Sequence, residues 1–89
     1  MADRARISRA IGELAARPKA VTFEEICQIV SQIRLQGEFQ VKQRPTTHGY
    51  QFTIGSRIVR VKKNPRGPMK PKYVDDFVDA MIELGLYEE

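Results

Sequence analysis

The sequence predicts an α+β domain in the order α-α-β-β-β-α, with three antiparallel strands in one sheet and the helices packed on one of its faces. Three features carry that prediction. Apolar residues recur at helical spacing up to Leu35 and again after Tyr73, they alternate with polar residues between Phe39 and Lys63, and a two-residue Gly55-Ser56 turn joins the last two alternating runs. With 89 residues the chain makes a single domain over 1–89, whose small core leaves little room for an enclosed pocket, so chemistry is expected on an open surface.

Asp3 to Ala16 places Ile7, Ile11 and Leu14 on one side of a short first helix, which Arg17-Pro18 ends. Thr22-Phe23-Glu24-Glu25 has the form of a capping box and opens a second helix, whose buried stripe is Phe23, Ile26, Ile29 or Val30, and Ile33. Cys27 rides on the edge of that stripe, and with Glu24 and Glu25 as its nearest charges it is expected to pack rather than react. Gly37 releases the chain, and strand one runs from Phe39 through Val41 to Arg44-Pro45. Strand two follows the Pro45-Thr46-Thr47 turn. A two-residue hairpin then sets Ile54 against Arg57, Phe52 against Val59, Tyr50 against Val61 and His48 against Lys63. The outer sheet face would carry Gln51, Thr53, Ile58, Arg60 and Lys62. Asn64 to Pro71, with three prolines and a glycine, reads as a stiff surface loop. The last helix buries Val74, Phe77, Val78 and Met81, has Asp75 and Asp76 near its N-terminal end, and ends at Gly85. Its acidic side, Asp75, Asp76, Asp79 and Glu83, reads as a solvated face.

The net charge of +4 conceals an uneven distribution. From Gln36 to Lys72 nine basic residues stand against Glu38 alone, whereas Tyr73 to Glu89 holds six acidic residues and no base. A polyanion is thereby drawn to the middle of the chain and kept off the last helix. One cysteine excludes an intramolecular disulfide, and one histidine leaves no cluster with zinc-ligand spacing, so neither metal nor cofactor is expected. No apolar run approaches the ~20 residues of a membrane span, and Met1 to Lys19 lacks the apolar centre of a signal peptide. The expectation is a cytoplasmic protein with no membrane partner.

His48 is the one side chain whose ordinary pKa lets it exchange protons near neutral pH. Its parity with Tyr50 and Phe52 allows a structural role, a half-buried ring capping the core. Beside Lys63 and the Arg66–Lys72 loop it would instead sit where phosphate binds. There a neutral imidazole can take the proton of a ribose 2′-hydroxyl while Lys or Arg stabilises charge on the phosphorus, with no metal required. Thr46 and Thr47 can donate to phosphate oxygens, and Arg60, Lys62, Lys63, Arg66 and Lys70 supply cations. Tyr50 and Tyr73 are of the type that stacks on bases, although Tyr50 falls on the core side.

Three segments together resemble the HicA family of bacterial toxins: Arg17-Pro18-Lys19-Ala20-Val21-Thr22-Phe23-Glu24-Glu25-Ile26-Cys27, Thr47-His48-Gly49-Tyr50-Gln51-Phe52, and Lys70-Pro71-Lys72-Tyr73-Val74 with Glu83-Leu84-Gly85-Leu86. The resemblance lies in their order and spacing along most of the chain. It implies a double-stranded-RNA-binding-domain-like fold, metal-independent cleavage of mRNA, and a HicB-like antitoxin protein that covers the active site. The family's catalytic histidine carries over to His48 alone. Pro45-Thr46 stands where the family has a glycine, Gly49 replaces a frequent second histidine, and Ser31 to Gln36 are extra. The alternative is a silent RNA-binding module using the same basic sheet surface, or a partner for an acidic protein.

Overall fold

Helix α1 (Arg4–Ala16) begins where the Asp3 carboxylate accepts a hydrogen bond from the Arg6 N–H at 2.8 Å, so Asp3 caps the helix rather than opening it. The computed structural model describes residues 3–88 and has the predicted order, with one short addition. Glu89, counted above in the acidic tail, lies outside the described residues. The addition is a single 3₁₀ turn over Pro18–Ala20, which the proline starts and the sequence periodicity does not reveal. Helix α2 (Phe23–Gln36) opens at Thr22, whose hydroxyl oxygen accepts from the Glu25 N–H at 3.2 Å. The Glu25 carboxylate is taken mainly by Arg17 at 2.5 Å, a hydrogen-bonded pair that holds the Glu25 carboxyl below its ordinary value and ties the end of α1 to the start of α2.

Strands β1 (Val41–Thr46), β2 (Gly49–Ile54) and β3 (Arg57–Lys62) form one antiparallel sheet in chain order. The β2–β3 register pairs Ile54 with Arg57, Phe52 with Val59 and Tyr50 with Val61, as alternation predicts. Gly55, at φ 59°, supplies the positive φ that opens a two-residue primed turn. Strand β1 departs from its predicted bounds at both ends. The strand starts later, at Val41, and Phe39 lies outside the sheet, packed against the Gly55 turn, where a Cβ on Gly55 would lie 2.9 Å from the Phe39 ring. At the other end the strand continues through Pro45. The Gly55 N–H donates to the Gln40 carbonyl at 2.9 Å, so by parity Lys42, Arg44 and Thr46 turn their backbone groups toward β2. Pro45 faces the free edge, and its missing N–H breaks no ladder bond.

Helix α3 (Pro71–Glu83) starts with Pro71 at its first position, so the irregular loop ends at Lys70 and Asp75 and Asp76 fall beyond the first turn. Its end is a Schellman motif: Gly85, at φ 74°, donates to Ile82 and Leu86 donates to Met81, while Leu86 and Met81 are both buried. Arg4 clamps this end by donating to the Gly85 carbonyl at 2.5 Å and pairing with Glu38 at 2.6 Å.

The core joins Ile7, Ile11 and Leu14 of α1, the α2 stripe, Phe52, Ile54, Val59 and Val61 of the sheet, and Val74, Phe77, Val78 and Met81 of α3. One member comes from the loop that its three prolines and glycine mark as surface. Met69 is only 2 % exposed, and its N–H donates to the Val21 carbonyl at 2.8 Å, pinning the loop to the start of α2. The helices leave the opposite sheet face open, where Ile58 is 55 % exposed. Among the described residues no helix is long and apolar enough to cross a membrane.

Gly49 is the tightest point of the sheet. A Cβ there would lie 2.0 Å from the Val61 carbonyl oxygen and 2.9 Å from the Lys62 Cα. Gly49→Ala is therefore expected to destabilise the domain by about 1–3 kcal/mol, the usual cost of overpacking. Chemical denaturation checks this. An unchanged midpoint would mean that β2 and β3 do not approach so closely.

Candidate active site

Thr46 pairs with Gly49, so Thr47 and His48 alone form the turn between β1 and β2. His48 thus stands in the turn and not on strand two. It is exposed, which removes the role of half-buried core cap that its parity with Tyr50 allowed. The register still reaches it, since the Lys63 N–H donates to the His48 carbonyl at 2.7 Å and holds the turn against the end of β3.

Two hollows adjoin here, and His48, Lys63 and Pro65 line both. On one side an open groove of ≈ 540 Å³ is lined by Phe23, Pro45, Thr46, Tyr50, Lys63 and Pro65 together with His48 and Gly49. Phe23 and Tyr50 form its apolar wall as a stacked pair, with ring centroids 5.6 Å apart and planes 16° from parallel. Tyr50 also leans on buried Phe52, 5.8 Å away, so the wall is anchored in the core. On the other side a hollow of ≈ 400 Å³ is lined by His48, Lys62, Lys63, Asn64, Lys70 and Tyr73 with Pro65. The loop over it is braced by Asn64, whose amide donates to the Pro68 carbonyl at 3.0 Å and whose side-chain oxygen accepts from the Arg66 N–H at 3.1 Å.

The predicted cations are not equivalent. Lys62 and Lys70 share the basic hollow with His48, and neither makes an ion pair among the described residues. Lys63 reaches both hollows but lies 3.4 Å from the Glu24 carboxylate, which partly neutralises it. Arg60 lies on the outer sheet face, bonded to Gln51 at 3.1 Å, and with Lys62, which borders both, lines a separate hollow alongside Asp76, Asp79 and Glu83 of α3. These acidic residues are exposed as predicted, yet they border the basic strand: Glu83 pairs with Arg57 at 2.8 Å. Positive charge is therefore less opposed at the His48 end of the sheet than along the edge of β3. Thr46 lines the groove, whereas Thr47 and Arg66 are exposed and line neither hollow.

Cys27, half-buried on α2, offers no nucleophile: burial and then the Glu24 charge push its thiol above the ordinary value, which keeps it protonated. Sequence reasoning missed Phe23, Pro45, Asn64 and Pro65 as site residues. Helical spacing places Phe23 in the α2 stripe, and only its position at the first turn of α2 marks it as a residue that reaches Tyr50 at the start of β2.

Protein-family models, curated proteins and solved structures give no match to this chain.

The Glu24 carboxyl is held below its ordinary value first by its own backbone N–H, at the start of α2, and then by Lys63. A depressed carboxyl pKa adds stability at neutral pH that is lost as pH falls through the folded-state value. NMR titration is expected to place Glu24 below the reference of about 4.3. Lys63→Ala should raise its midpoint without restoring it fully, because the backbone donor remains. A midpoint unaffected by Lys63→Ala would show that the ion pair is not formed in solution.

Proposed function

We propose that this chain is a metal-independent endoribonuclease of the HicA type that cleaves mRNA in the cytoplasm with His48 as general base, paired with a small HicB-like antitoxin protein. One observation carries the reading: the single histidine is exposed in a two-residue turn, between an aromatic groove and a hollow containing Lys62, Lys63 and Lys70. The resemblance of the Thr47-His48-Gly49-Tyr50 segment and its flanking motifs to HicA toxins points the same way.

The chemistry needs only groups present in this arrangement. The neutral imidazole removes the proton of a ribose 2′-hydroxyl. The 2′-oxygen attacks the adjacent phosphorus, the bond from phosphorus to the 5′-oxygen breaks, that oxygen takes a proton from solvent water, and the imidazolium returns its proton to the hydroxide so formed. Lys62 and Lys70 stabilise the charge gathering on the phosphoryl oxygens, and Thr46 can donate a further hydrogen bond. Products are a 2′,3′-cyclic phosphate and a 5′-hydroxyl.

A second reading, an RNA-binding module without cleavage, has its own support. Lys63, the cation bonded through its backbone to His48, is engaged by Glu24. His48→Ala separates the two readings. Loss of a general base costs roughly 10² to 10⁴ in rate, so cleavage of RNA in a gel assay should be lost while the exposed position leaves folding intact. Cleavage by the unmodified protein is expected to persist in excess chelator, and RNA affinity to fall steeply with salt. Full activity in folded His48→Ala protein would remove the mechanism, and absence of any cleavage by the unmodified protein would favour the silent module.

A further inference from the structure

Because His48 lines both hollows, a ligand that spans them presents an apolar plane to the aromatic groove and an anion to the basic hollow. A nucleotide has that chemistry, with the ribose between base and phosphate. We infer that the Phe23–Tyr50 groove is a base-binding subsite, which takes one unpaired nucleobase while the phosphate next to its ribose rests between Lys62 and Lys70. The ligand class is therefore single-stranded RNA, or RNA with an unpaired residue. This rests on the ribonuclease reading and assigns the groove that the reading leaves unused.

Several features fit a base. The wall is aromatic and rigid, because Tyr50 is held between Phe23 and buried Phe52. Pro45 and Pro65 add further apolar surface, and neither presents a backbone donor that would need another partner. The polar side chains of its lining, besides His48, belong to Thr46, Tyr50 and Lys63. A groove of ≈ 540 Å³ falls within the range that small ligands occupy. The apolar wall gives an inorganic anion nothing, and the adjoining lysines oppose a wholly apolar ligand. A base inside a duplex is stacked between its neighbours and cannot enter, so duplex RNA would reach the lysines but not the groove.

The subsite also gives His48 its register. With the base seated at Phe23–Tyr50, the 2′-hydroxyl of the same nucleotide comes to the imidazole and its 3′-phosphate to Lys62 and Lys70. Phe23 and Tyr50 are thus positioning residues.

The test uses the unmodified protein and a short 2′-fluoro RNA, which cannot be cleaved by attack of a 2′-oxygen. Its affinity is compared with a set in which one base at a time is removed to leave an abasic site, and with the same sequence in a perfect duplex. The expected result is a loss of roughly ten-fold at one position, the scale of a base–aromatic stack, with small effects elsewhere and weaker binding of the duplex. As a second measurement, Tyr50→Leu and Phe23→Leu, checked for folding by circular dichroism, should lower affinity for the intact strand and leave affinity for the most damaged abasic strand nearly unchanged. A flat abasic scan, or a duplex bound as tightly as the single strand, would overturn the subsite and leave the ribonuclease reading in place. Failure to bind any RNA at low salt would overturn both.

Discussion

The close approach of β2 and β3 at Gly49 is the constraint on which the candidate site depends. With no side chain at Gly49, the strand can lie against the Val61 carbonyl and Lys62, and the next backbone bond, from Lys63 to His48, closes the end of the ladder. That bond delivers an exposed histidine from the β1–β2 turn to the end of β3, beside the loop that carries Lys70. The same register stacks Phe52 and Tyr50 along one face, so the aromatic wall of the groove is an extension of the core. A side chain at position 49 would push the turn away from β3 and separate the imidazole from the lysines.

The basic and acidic parts of the chain meet in space in a way their separation along the sequence conceals. Helix α3 packs beside β3 and brings Asp76, Asp79 and Glu83 next to Arg57, Arg60 and Lys62. Opposite charges at short range cancel each other's distant field. The cations farther from these carboxylates are Lys70, in the hollow beside His48, and Lys42 and Arg44 on the edge strand, none of which makes an ion pair among the described residues. An anion approaching the molecule is steered toward the His48 turn rather than along the whole outer face.

Much of the fold is legible in the sequence because its elements bury one face each. Alternation identifies β2 and β3 and their register, and helical spacing identifies the cores of α1, α2 and α3. Strand β1 is harder to read, since after Val41 its residues are exposed and no burial pattern marks its ends. Proline at position 45 suggests a stop, but an edge position has no ladder bond for it to break. Met69 lies among prolines without periodicity, and its burial follows from a single backbone bond to Val21 that sequence spacing cannot express. For the site, residue type identifies His48 and the lysines. The division into an apolar and a basic side depends on where the first turn of α2 lands on the sheet, and the neutralisation of Lys63 depends on Glu24 from the same turn. Both are long-range contacts.

Activation of a ribose hydroxyl by His48 at a metal-free phosphodiester, as proposed, would be recorded in the products of cleavage. The most direct measurement is the analysis of RNA ends by mass spectrometry, with a matched substrate carrying a single 2′-deoxy nucleotide at the cleaved position. The expected products are a 2′,3′-cyclic phosphate and a 5′-hydroxyl from the all-ribose strand, with no cleavage at the deoxy position. A 3′-hydroxyl and 5′-phosphate, or equal cleavage of both substrates, would show that water rather than the 2′-oxygen attacks and would contradict the proposal.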